Sequence, residues 1–351
     1  MSLAFAIPGD LALPTGGYAY DRRLLEEWAR MGIAARHIAL PGSFPEPTED
    51  DLDSTRELLS DAGGPLLVDG LAFGALPESL AAALPGPLIA LVHHPLALEA
   101  GLAPDRAAQL RAGETAALRH ADAVVVTSPA TKALLVAEFG VPAAKITVSE
   151  PGTDPAPRAT GSAPGQPLSL LAVGSIIPRK GYDVLVAALA DLADRDWHLT
   201  VVGALDRAPD TAADLRTQIT ETGLSDRITL AGAVPDVDLA KAYAGADLFV
   251  MPSLFEGYGM VLTEALARGL PILCTTGGAA AETAPDDASL KVLPGDVAAL
   301  RQGLRVSIDD GAARRARADA AWRAAKTLPR WHDTAVRVAA ACGADVLRKV
   351  S

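Results

Sequence analysis

The sequence has few cysteines, few aromatic residues and no long apolar run. Its 351 residues include two cysteines, Cys274 and Cys342, which are too few for a disulfide framework or a thiolate zinc site. No apolar stretch reaches the ~18 residues of a membrane-spanning helix. The N-terminal segment has no basic residues before its short apolar run, unlike a secretory signal. These absences predict a globular, cytoplasmic protein and argue against the secreted, fibrous and disordered classes.

Basic residues are also in the minority. The chain has 31 lysines and arginines against 43 aspartates and glutamates, and its net charge is −12. Because a nucleic-acid-binding surface is normally basic, this balance argues against a nucleic-acid partner. The basic clusters, Gly311–Arg317 and Arg22-Arg23 with Arg30, do not combine enough charge with the apolar anchors that membrane docking needs. We interpret both clusters as solvated faces. Membrane association is expected only if the acceptor of the reaction is a lipid.

Short apolar, β-branched runs alternate with Ala- and Leu-rich amphipathic segments along the chain. This alternation is typical of parallel sheets covered by helices, so we predict an α/β fold. The predicted strands are Leu3–Ile7, Ile33–Leu40, Leu66–Asp69, Leu88–Val92, Ala123–Thr127, Ile146–Ser149, Leu168–Val173, Leu199–Val202, Ile228–Ala231, Leu248–Met251, Ile272–Cys274 and Leu290–Leu293. The predicted helices are Tyr20–Met31, Arg106–Arg119, Thr131–Phe139, Asp183–Leu192, Thr211–Thr222, Asp238–Ala244 and Val261–Ala267, and the tail from Asp296 is largely helical.

A segment rich in proline and glycine divides these elements into two series. Pro151–Pro167 holds five prolines and three glycines, which suit neither a helix nor a central strand. We therefore predict two doubly wound domains, 1–158 and 166–328, with the first joined by a C-terminal helix at about 331–351. Ligands bind such sheets beyond the carboxyl ends of the strands, so two units that face each other form a ligand cleft.

The most informative stretch is Ser253–Ile272, which reads SLFEGYGMVLTEALARGLPI. Two glycines follow a predicted strand and begin a helix, and the amides at a helix start form an anion site. Glu256 precedes this helix and Glu264 lies about two turns further along it. Carboxylates accept hydrogen bonds from paired sugar hydroxyls, so this arrangement suits a nucleotide sugar. The amides expected at the helix start are those of Gly257, Tyr258, Gly259 and Met260.

The Glu-x7-Glu pattern, followed by Ala-x-Ala-x-Gly-x-Pro, resembles the retaining GT-B glycosyltransferases of the family 4 type, also described as glycosyl transferases group 1. The resemblance extends over most of the chain and implies two Rossmann-like domains that face each other across a cleft. The first domain would bind the acceptor and the second the nucleotide sugar. The other segments that resemble the family are Pro14–Gly17, Arg119–Ser128, Pro151–Asp154 and Val173–Gly181.

The resemblance also implies roles for residues of the second domain. Glu264 would bind the donor ribose and Glu256 the hydroxyls of the transferred sugar. Lys180, with Arg179, would neutralise the donor diphosphate together with the helix-start amides Gly257–Met260. The family often has arginine where this chain has Ser175, so either Arg179 substitutes for that arginine or phosphate binding is weaker than usual. The donor base would meet the main chain near Ala233 and Val234.

In the first domain, the resemblance implies a histidine and a glycine pair. His93 would hydrogen-bond the donor sugar near its reacting face, although the sequence does not decide between His93 and His94. Gly16 and Gly17 would bring the main chain close to the phosphate or the acceptor, with an ordinary turn as the alternative. No carboxylate or thiol lies at metal-ligand spacing around the histidine pair in the sequence, so we do not expect a metal site there.

No metal is expected elsewhere either. Asp236-Val237-Asp238 matches the metal-binding D-x-D of another glycosyltransferase fold, but acidic residues also favour a helix N-terminus. We interpret the motif as a helix start. The sequence thus predicts a metal-independent enzyme that needs no cofactor beyond its nucleotide-sugar substrate.

The predicted function is transfer of a hexose-type sugar, with retention, from a UDP- or GDP-sugar to an unidentified acceptor. The resemblance implies a front-face substitution, in which the departing phosphate oxygen takes the acceptor proton. The alternatives are a non-catalytic nucleotide-sugar-binding protein and another GT-B enzyme, such as a sugar epimerase or a phosphorylase. A dinucleotide oxidoreductase is disfavoured because G-x-G-x-x-G follows neither domain's first strand. The segment Trp331–Val350 is expected to pack on the first domain.

Overall fold

The computed structural model describes residues 3–344 and divides into two compact units. Unit 1 contains the chain up to Gly152 and again from Pro329, and unit 2 contains Thr153–Leu328. Each unit holds one six-stranded parallel sheet with helices packed on it. Among residues 3–344, no helix combines the length and the apolar character needed to cross a bilayer.

Unit 1 has the strand order β2-β1-β3-β4-β5-β6. All residues of β1, β3 and β4 are buried, as is typical of central strands covered on both faces, whereas the edge strand β2 is partly exposed. The elements up to the unit boundary are β1 (Leu3–Pro8), α1 (Gly16–Arg30), β2 (Ala35–Leu40), α2 (Glu49–Ser60), β3 (Leu66–Asp69), α3 (Gly70–Phe73), α4 (Glu78–Ala83), β4 (Leu88–Val92), α5 (Pro104–Leu118), β5 (Ala123–Val126), α6 (Pro129–Phe139) and β6 (Ile146–Val148).

Unit 2 has the strand order β12-β11-β10-β7-β8-β9, and its sheet is also parallel. Separate apolar clusters are built on Leu170 and Leu199 and on Leu171 and Phe249. The elements of unit 2 are β7 (Leu168–Val173), α7 (Tyr182–Ala190), β8 (Trp197–Val202), α8 (Pro209–Glu221), β9 (Ile228–Gly232), α9 (Asp236–Ala244), β10 (Leu248–Met251), α10 (Met260–Ala267), β11 (Ile272–Thr275), α11 (Ala280–Thr283), β12 (Ser289–Val292), α12 (Val297–Asp309) and α13 (Gly311–Ala324).

The last described helix, α14 (Trp331–Ala341), packs within unit 1. The Trp28 indole donates to the carbonyl of Ala335 at 2.9 Å, and the Thr334 hydroxyl donates to the carbonyl of Glu150 at 2.7 Å. Gly152 lies so close to Trp331 that an added Cβ would meet its backbone nitrogen at 2.2 Å. These contacts fix α14 against α1 and the end of β6. The rest of the predicted C-terminal helix, residues 345–351, lies outside the described residues.

The segment between the two series has neither helix nor strand. Its later part nevertheless packs on unit 2, because Ala159 donates to the carbonyl of Arg268 at 2.8 Å and Thr160 donates to that of Ala244 at 2.9 Å. The unit boundary lies near the start of the segment, at Gly152. The proline-rich stretch is therefore partly a strap on the surface of unit 2.

Helix α2 is an element that the sequence analysis did not predict. It begins after Thr48, whose hydroxyl accepts from the amide of Asp51 at 3.2 Å, while the Asp51 carboxylate accepts from the amide of Thr48 at 2.9 Å. This reciprocal pair is a capping box, and its T-x-x-D signature is visible in the sequence. The local signal for a helix start was present, although the acidic segment has little apolar periodicity.

Candidate functional site

A short turn after β7 positions the two predicted phosphate-binding cations. The 3₁₀ turn Pro178–Lys180 ends at Gly181, which adopts a left-handed φ of 63°. A Cβ at Gly181 would lie 2.5 Å from the carbonyl oxygen of Pro252, so only glycine fits this close approach. The amide of Leu254 donates to the carbonyl of Arg179 at 2.7 Å. These contacts fix the turn against the chain that leaves the carboxyl end of β10.

Both cations meet Glu256 at this edge of the sheet. The Lys180 Nζ lies 2.7 Å from Glu256 Oε1, and an Arg179 guanidinium nitrogen lies 3.5 Å from Glu256 Oε2. Arg179 also donates to the carbonyl of Phe255 at 2.8 Å. The three charged side chains are 15%, 16% and 8% exposed, so all are largely shielded from water. Burial opposes ionisation of Glu256, but the positive charges of Lys180 and Arg179 dominate and hold its pKa at about 2.

The main chain of Glu256 is held by a glycine pair that the sequence analysis missed. Glu256 donates its amide to the carbonyl of Gly277 at 3.2 Å, and its own carbonyl accepts from Ala279 at 2.8 Å. A Cβ at Gly277 would lie 2.2 Å from the Leu254 carbonyl, and one at Gly278 would lie 2.2 Å from the Glu256 carbonyl. The Thr-Gly-Gly sequence directly after β11 was a local signal of such a close approach.

The predicted glycine-rich helix start is present. Helix α10 begins at Met260, and Gly259 precedes it with a left-handed φ of 88° and no side-chain cap. The carbonyl of Tyr258 accepts from the hydroxyl of Thr283 at 2.7 Å, which fixes the approach to the helix. Gly257 lies between this residue and the buried Glu256. Helix α10 therefore begins shortly after Glu256, the residue that pairs with Lys180.

The second glutamate of the motif, Glu264, is held by partners that the sequence did not reveal. Its Oε2 accepts from the Tyr243 hydroxyl at 2.8 Å, and the Arg268 guanidinium lies 4.4 Å from the centre of the Tyr243 ring. Arg268 also donates to the main-chain carbonyl of Glu264 at 2.9 Å. Burial raises the pKa of Glu264, while Tyr243 and Arg268 act in the opposite direction. The Glu264 carboxylate on α10 is therefore held in a fixed orientation, from which it can accept further hydrogen bonds.

The remaining predicted positions of unit 2 lie in loops after strands. Ser175 is half-buried after β7, and Ala233 and Val234 follow β9 with exposed and half-buried side chains respectively. The interpretation of Asp236-Val-Asp238 as a helix start is confirmed, because both aspartates lie in the first turn of α9.

In unit 1, the predicted glycine pair opens α1. Gly16 and Gly17 are its first residues, and the Thr15 hydroxyl caps the helix by accepting from the amide of Tyr18 at 3.3 Å. An added Cβ at Gly16 would meet nothing within 4 Å. At Gly17 it would lie 3.3 Å from Cδ2 of His93. Gly17 therefore permits the close approach of the His93 ring.

His93 is surrounded by carboxyl groups, contrary to the expectation from sequence spacing. Its Nε2 lies 3.1 Å from Oδ1 of Asp21, on α1, and 3.3 Å from Oδ2 of Asp69, at the end of β3. These three groups offer ligand atoms within 4.8 Å of one another. The expectation that no carboxylate lies around the histidines was wrong, because folding brings together residues far apart in the sequence. His94 Nε2 lies 3.6 Å from Oε2 of Glu99.

The interpretation of Arg22-Arg23 as a solvated face was also wrong. An Arg22 guanidinium nitrogen donates to the carbonyl of Leu13 at 3.0 Å and also to that of Leu11. Arg23 lies over the Trp331 ring at 5.1 Å from its centre. Both side chains are half-buried within unit 1, so their charge serves internal packing.

Comparison with known proteins identifies the family. The family model described as "Glycosyl transferases group 1" matches residues 156–324, and the model described as "Glycosyltransferase Family 4" matches residues 69–157. The chain belongs to this family of GT-B glycosyltransferases, a family of retaining enzymes. The prediction of a GT-B fold built from two parallel, Rossmann-like sheets is confirmed.

One curated relative and two solved structures of similar fold illustrate the likeness. The D-inositol 3-phosphate glycosyltransferase of Nocardia farcinica is 33% identical over 211 residues, which are 55% of this chain and 46% of that protein. The sucrose-phosphate synthase of Thermosynechococcus elongatus superposes with a TM-score of 0.81 at 23% identity, over 96% of this chain and 98% of that one. Anabaena HepE, solved with UDP and glucose, gives 0.76 at 19% identity, over 98% and 99%. The chain spans less than half the length of several curated relatives that it matches.

Proposed function

We propose that the chain transfers a hexose-type sugar, with retention, from a nucleoside-diphosphate sugar to an acceptor alcohol. The observation that carries this proposal is the group of Lys180, Arg179 and Glu256 beside the glycine-initiated helix α10. Two shielded cations and the start of a helix provide the positive potential that a diphosphate needs. Family membership supports the same reaction class.

Lys180 and Arg179 serve the departing diphosphate. As the bond from the sugar to the phosphate oxygen breaks, negative charge grows on that oxygen, and a nearby ammonium stabilises it. In the structure the same ammonium is paired with Glu256, which keeps the cation in place and prevents uncompensated positive charge. When the donor binds, its phosphate oxygens share Lys180, and the Glu256 carboxylate accepts from sugar hydroxyls. Glu256 remains ionised across the neutral pH range because its pKa is about 2.

Glu264 is assigned to the ribose of the donor. Its carboxyl is oriented by Tyr243 and its main chain by Arg268, so little rotamer entropy is lost when paired hydroxyls bind. The nucleotide base is assigned to the main chain near Ala233 and Val234. A uridine nucleotide is the first donor to test, because HepE was solved with UDP.

His93, Gly16 and Gly17 keep the roles that the resemblance implies. The histidine hydrogen-bonds the donor sugar, and the glycine pair exposes main chain to the phosphate or acceptor. In a front-face substitution the acceptor proton passes to the departing phosphate oxygen, while the acceptor oxygen bonds to the sugar carbon that this oxygen leaves. No metal is needed for this step if the cations supply the charge.

A ligand screen followed by a Lys180 variant tests the proposal. Unfolding is followed with UDP, GDP, ADP and their sugars, since a nucleotide at 100 times its Kd stabilises the protein by about 2.7 kcal/mol. With the preferred donor, Lys180→Ala should lower turnover about 10²–10³-fold, as expected for removal of one preorganised charge. Lys241→Ala is the matched control, because Lys241 pairs with Asp238 but is 73% exposed.

The outcomes separate the alternatives. Transfer to an added alcohol, or hydrolysis of the donor with loss of activity in Lys180→Ala, supports the transferase. Tight nucleotide binding without any turnover over an acceptor panel supports a binding protein instead. Equal turnover of the wild type and Lys180→Ala at saturating donor contradicts the proposed role of the cation.

A further inference from the structure

The cluster of Asp21, Asp69 and His93 in unit 1 has a geometry that the proposed transfer does not explain. Both carboxyl groups approach the same imidazole nitrogen, Nε2, at 3.1 and 3.3 Å. The aspartate side chains are 0% and 4% exposed, and the imidazole is 22% exposed. Asp69 is fixed through its other oxygen, which accepts from the amide of Leu71 at 2.9 Å. Two buried carboxyls therefore compete for one ring N–H.

The charge of this cluster has to balance within itself. Among residues 3–344, His93 is the one cationic group within 4.0 Å of either carboxyl. An imidazolium between two carboxylates leaves one excess negative charge, and a neutral imidazole leaves two. Burial of unbalanced charge is costly. Moreover, Oδ2 of Asp21 is buried without a hydrogen-bond partner, so negative charge on it lacks solvation.

We propose that Asp21 and Asp69 share one proton and hold His93 as a permanent imidazolium whose Nε2–H is directed at the carboxyl pair. One positive and one negative charge then remain, and they are in direct contact. The two aspartates are positioning residues, since they act through His93. The role of His93 toward substrate rests on the proposed function, whereas the protonation state of the cluster does not.

Electrostatics and packing around the ring both favour this arrangement. Burial alone lowers the pKa of His93, but Asp21 and Asp69 reverse the effect and raise it above its ordinary value. Burial raises the pKa of Asp21 to about 7, with Asp69 acting in the same direction and the charge of His93 opposing both. Two neutral hydroxyls lie nearby: that of Tyr20 donates to the carbonyl of Ser149 at 3.0 Å, and that of Thr127 donates to the main-chain carbonyl of His93 at 3.2 Å.

The ring is also restrained from turning over. The Tyr20 ring packs edge-on against it, with the ring centres 5.2 Å apart and the planes at 78°. On another side Gly17 approaches the ring so closely that a Cβ would lie 3.3 Å from Cδ2. A flipped ring would break both contacts of Nε2 with the carboxyls. The remaining polar atom of the side chain is therefore Nδ1, which carries a proton in the imidazolium.

A permanent imidazolium limits what His93 can do in the proposed reaction. It has no lone pair, so it cannot accept the proton of the acceptor alcohol as a general base. Its Nδ1–H can only donate, to a sugar hydroxyl oxygen or to a phosphate oxygen. The acceptor proton must then go to the departing phosphate oxygen, consistent with a front-face substitution.

Nitrogen-15 NMR of the histidine side chains in the full-length protein tests the protonation state without any assay of activity. At pH 8 an ordinary histidine with a pKa near 6.5 is about 3% protonated. We expect the His93 signal, assigned by its loss in His93→Gln, to show both nitrogens protonated at this pH. Glu78→Gln is the control, because the Glu78 carboxylate lies 3.3 Å from Nε2 of a different histidine, the half-buried His120. It should leave the His93 signal unchanged.

Aspartate variants test the shared proton. In Asp21→Asn or Asp69→Asn the remaining carboxyl can ionise fully and keep one negative charge beside the ring. Each single variant should therefore shift the pKa of His93 by less than about one unit, or a tenfold change in the ratio of its charged to neutral forms. The double variant should return the pKa to about 6.5 or lower. In infrared difference spectra at pH 6, below the raised pKa of Asp21 of about 7, each single variant should lose one protonated-carboxyl band.

Three results would overturn the proposal: a neutral His93 in the wild type at pH 8, loss of the imidazolium in each single variant, or a stoichiometric divalent metal in the purified protein. If transfer activity is found, kcat of the double variant should fall at pH values above the lowered pKa of His93. The KM for the donor should change less. If no transfer is found, the NMR titration still decides the protonation state. Failure of the proposed function can therefore be distinguished from failure of the proposed protonation state.

Discussion

Buried carboxyl groups in this protein differ in charge according to their partners. Glu256 is buried beside two cations, so its pKa is about 2. Glu114 on α5 is equally buried but has weaker support, since its Oε2 accepts from the amide of Leu96 at 3.0 Å and its Oε1 has no hydrogen-bond partner. Burial therefore raises the pKa of Glu114 to about 8, against smaller opposing effects of Leu96 and Arg111.

The raised pKa of Glu114 predicts a pH-dependent stability. Between about pH 4.5 and 8 the unfolded chain has lost this proton while the folded protein keeps it, so rising pH disfavours folding. In Glu114→Gln this dependence disappears. The unfolding free energy of the variant relative to wild type should rise between pH 5 and 8, by at most about 1.4 kcal/mol per unit, and level off above pH 8.

Chemical denaturation of both proteins at several pH values measures this difference. Glu57→Gln changes an exposed glutamate and is the control, for which we expect no pH-dependent difference. A difference between Glu114→Gln and wild type that stays constant from pH 5 to 9 would show that Glu114 is ionised in the folded protein.

At the scale of elements, the site residues of unit 2 lie in turns that follow strands, and the conformation of these turns depends on glycine. Gly181 ends the Lys180 turn in a left-handed conformation against the Pro252 carbonyl, and Gly277 and Gly278 hold the main chain of Glu256. Helices and strands could be predicted from apolar periodicity and capping residues. The groups that these glycines contact could not be predicted, because a close approach between two loops does not change the pattern of apolar residues in either loop.

Substitution at Gly181 should therefore disturb both folding and binding. In Gly181→Ala the left-handed backbone alone costs about 1–2 kcal/mol, and the contact of 2.5 Å with the Pro252 carbonyl adds to it. Gly223 has a similar φ of 69°, but an added Cβ there would meet nothing within 4 Å. Gly223→Ala isolates the backbone cost within the same unit.

Hydrogen exchange of unit 2 and the affinity for the preferred nucleotide measure these effects. We expect Gly181→Ala to lower protection more than Gly223→Ala does, and to be the variant of the two that weakens nucleotide binding. Equal effects of the two substitutions would mean that the loop at Pro252 relaxes at no cost.

At the scale of the whole molecule, the chain returns to unit 1 after completing unit 2. Helix α14 supplies Trp331, whose ring packs edge-on against Tyr20 with the centres 5.7 Å apart and lies under Arg23. Tyr20 in turn packs against His93. The last described helix thus supports the histidine cluster from a position more than 200 residues away in the sequence.

Truncation of the Trp331 side chain should destabilise unit 1 selectively. Because Trp331 is 5% exposed, Trp331→Ala is expected to cost about 3–5 kcal/mol in that unit. Hydrogen exchange should then accelerate in β5, β6 and α1, and remain unchanged in β7–β12. Trp322→Ala, on α13, is the control for unit 2, where Arg158 lies over the indole at 6.0 Å. If either substitution accelerated exchange equally in both units, the prediction that each unit is destabilised by itself would be wrong.

The sequence by itself determined the local features of this protein. The strand cores, most helices, the glycine-initiated α10 and the order of family motifs are properties of neighbouring residues, so propensity, periodicity and spacing reveal them. Tertiary structure decided which distant groups meet. Asp21, Asp69 and His93 converge because α1 and the carboxyl ends of β3 and β4 share one edge of a sheet, and Tyr243 reaches Glu264 from another helix. Such contacts set the charge of each site residue, and no local pattern encodes them.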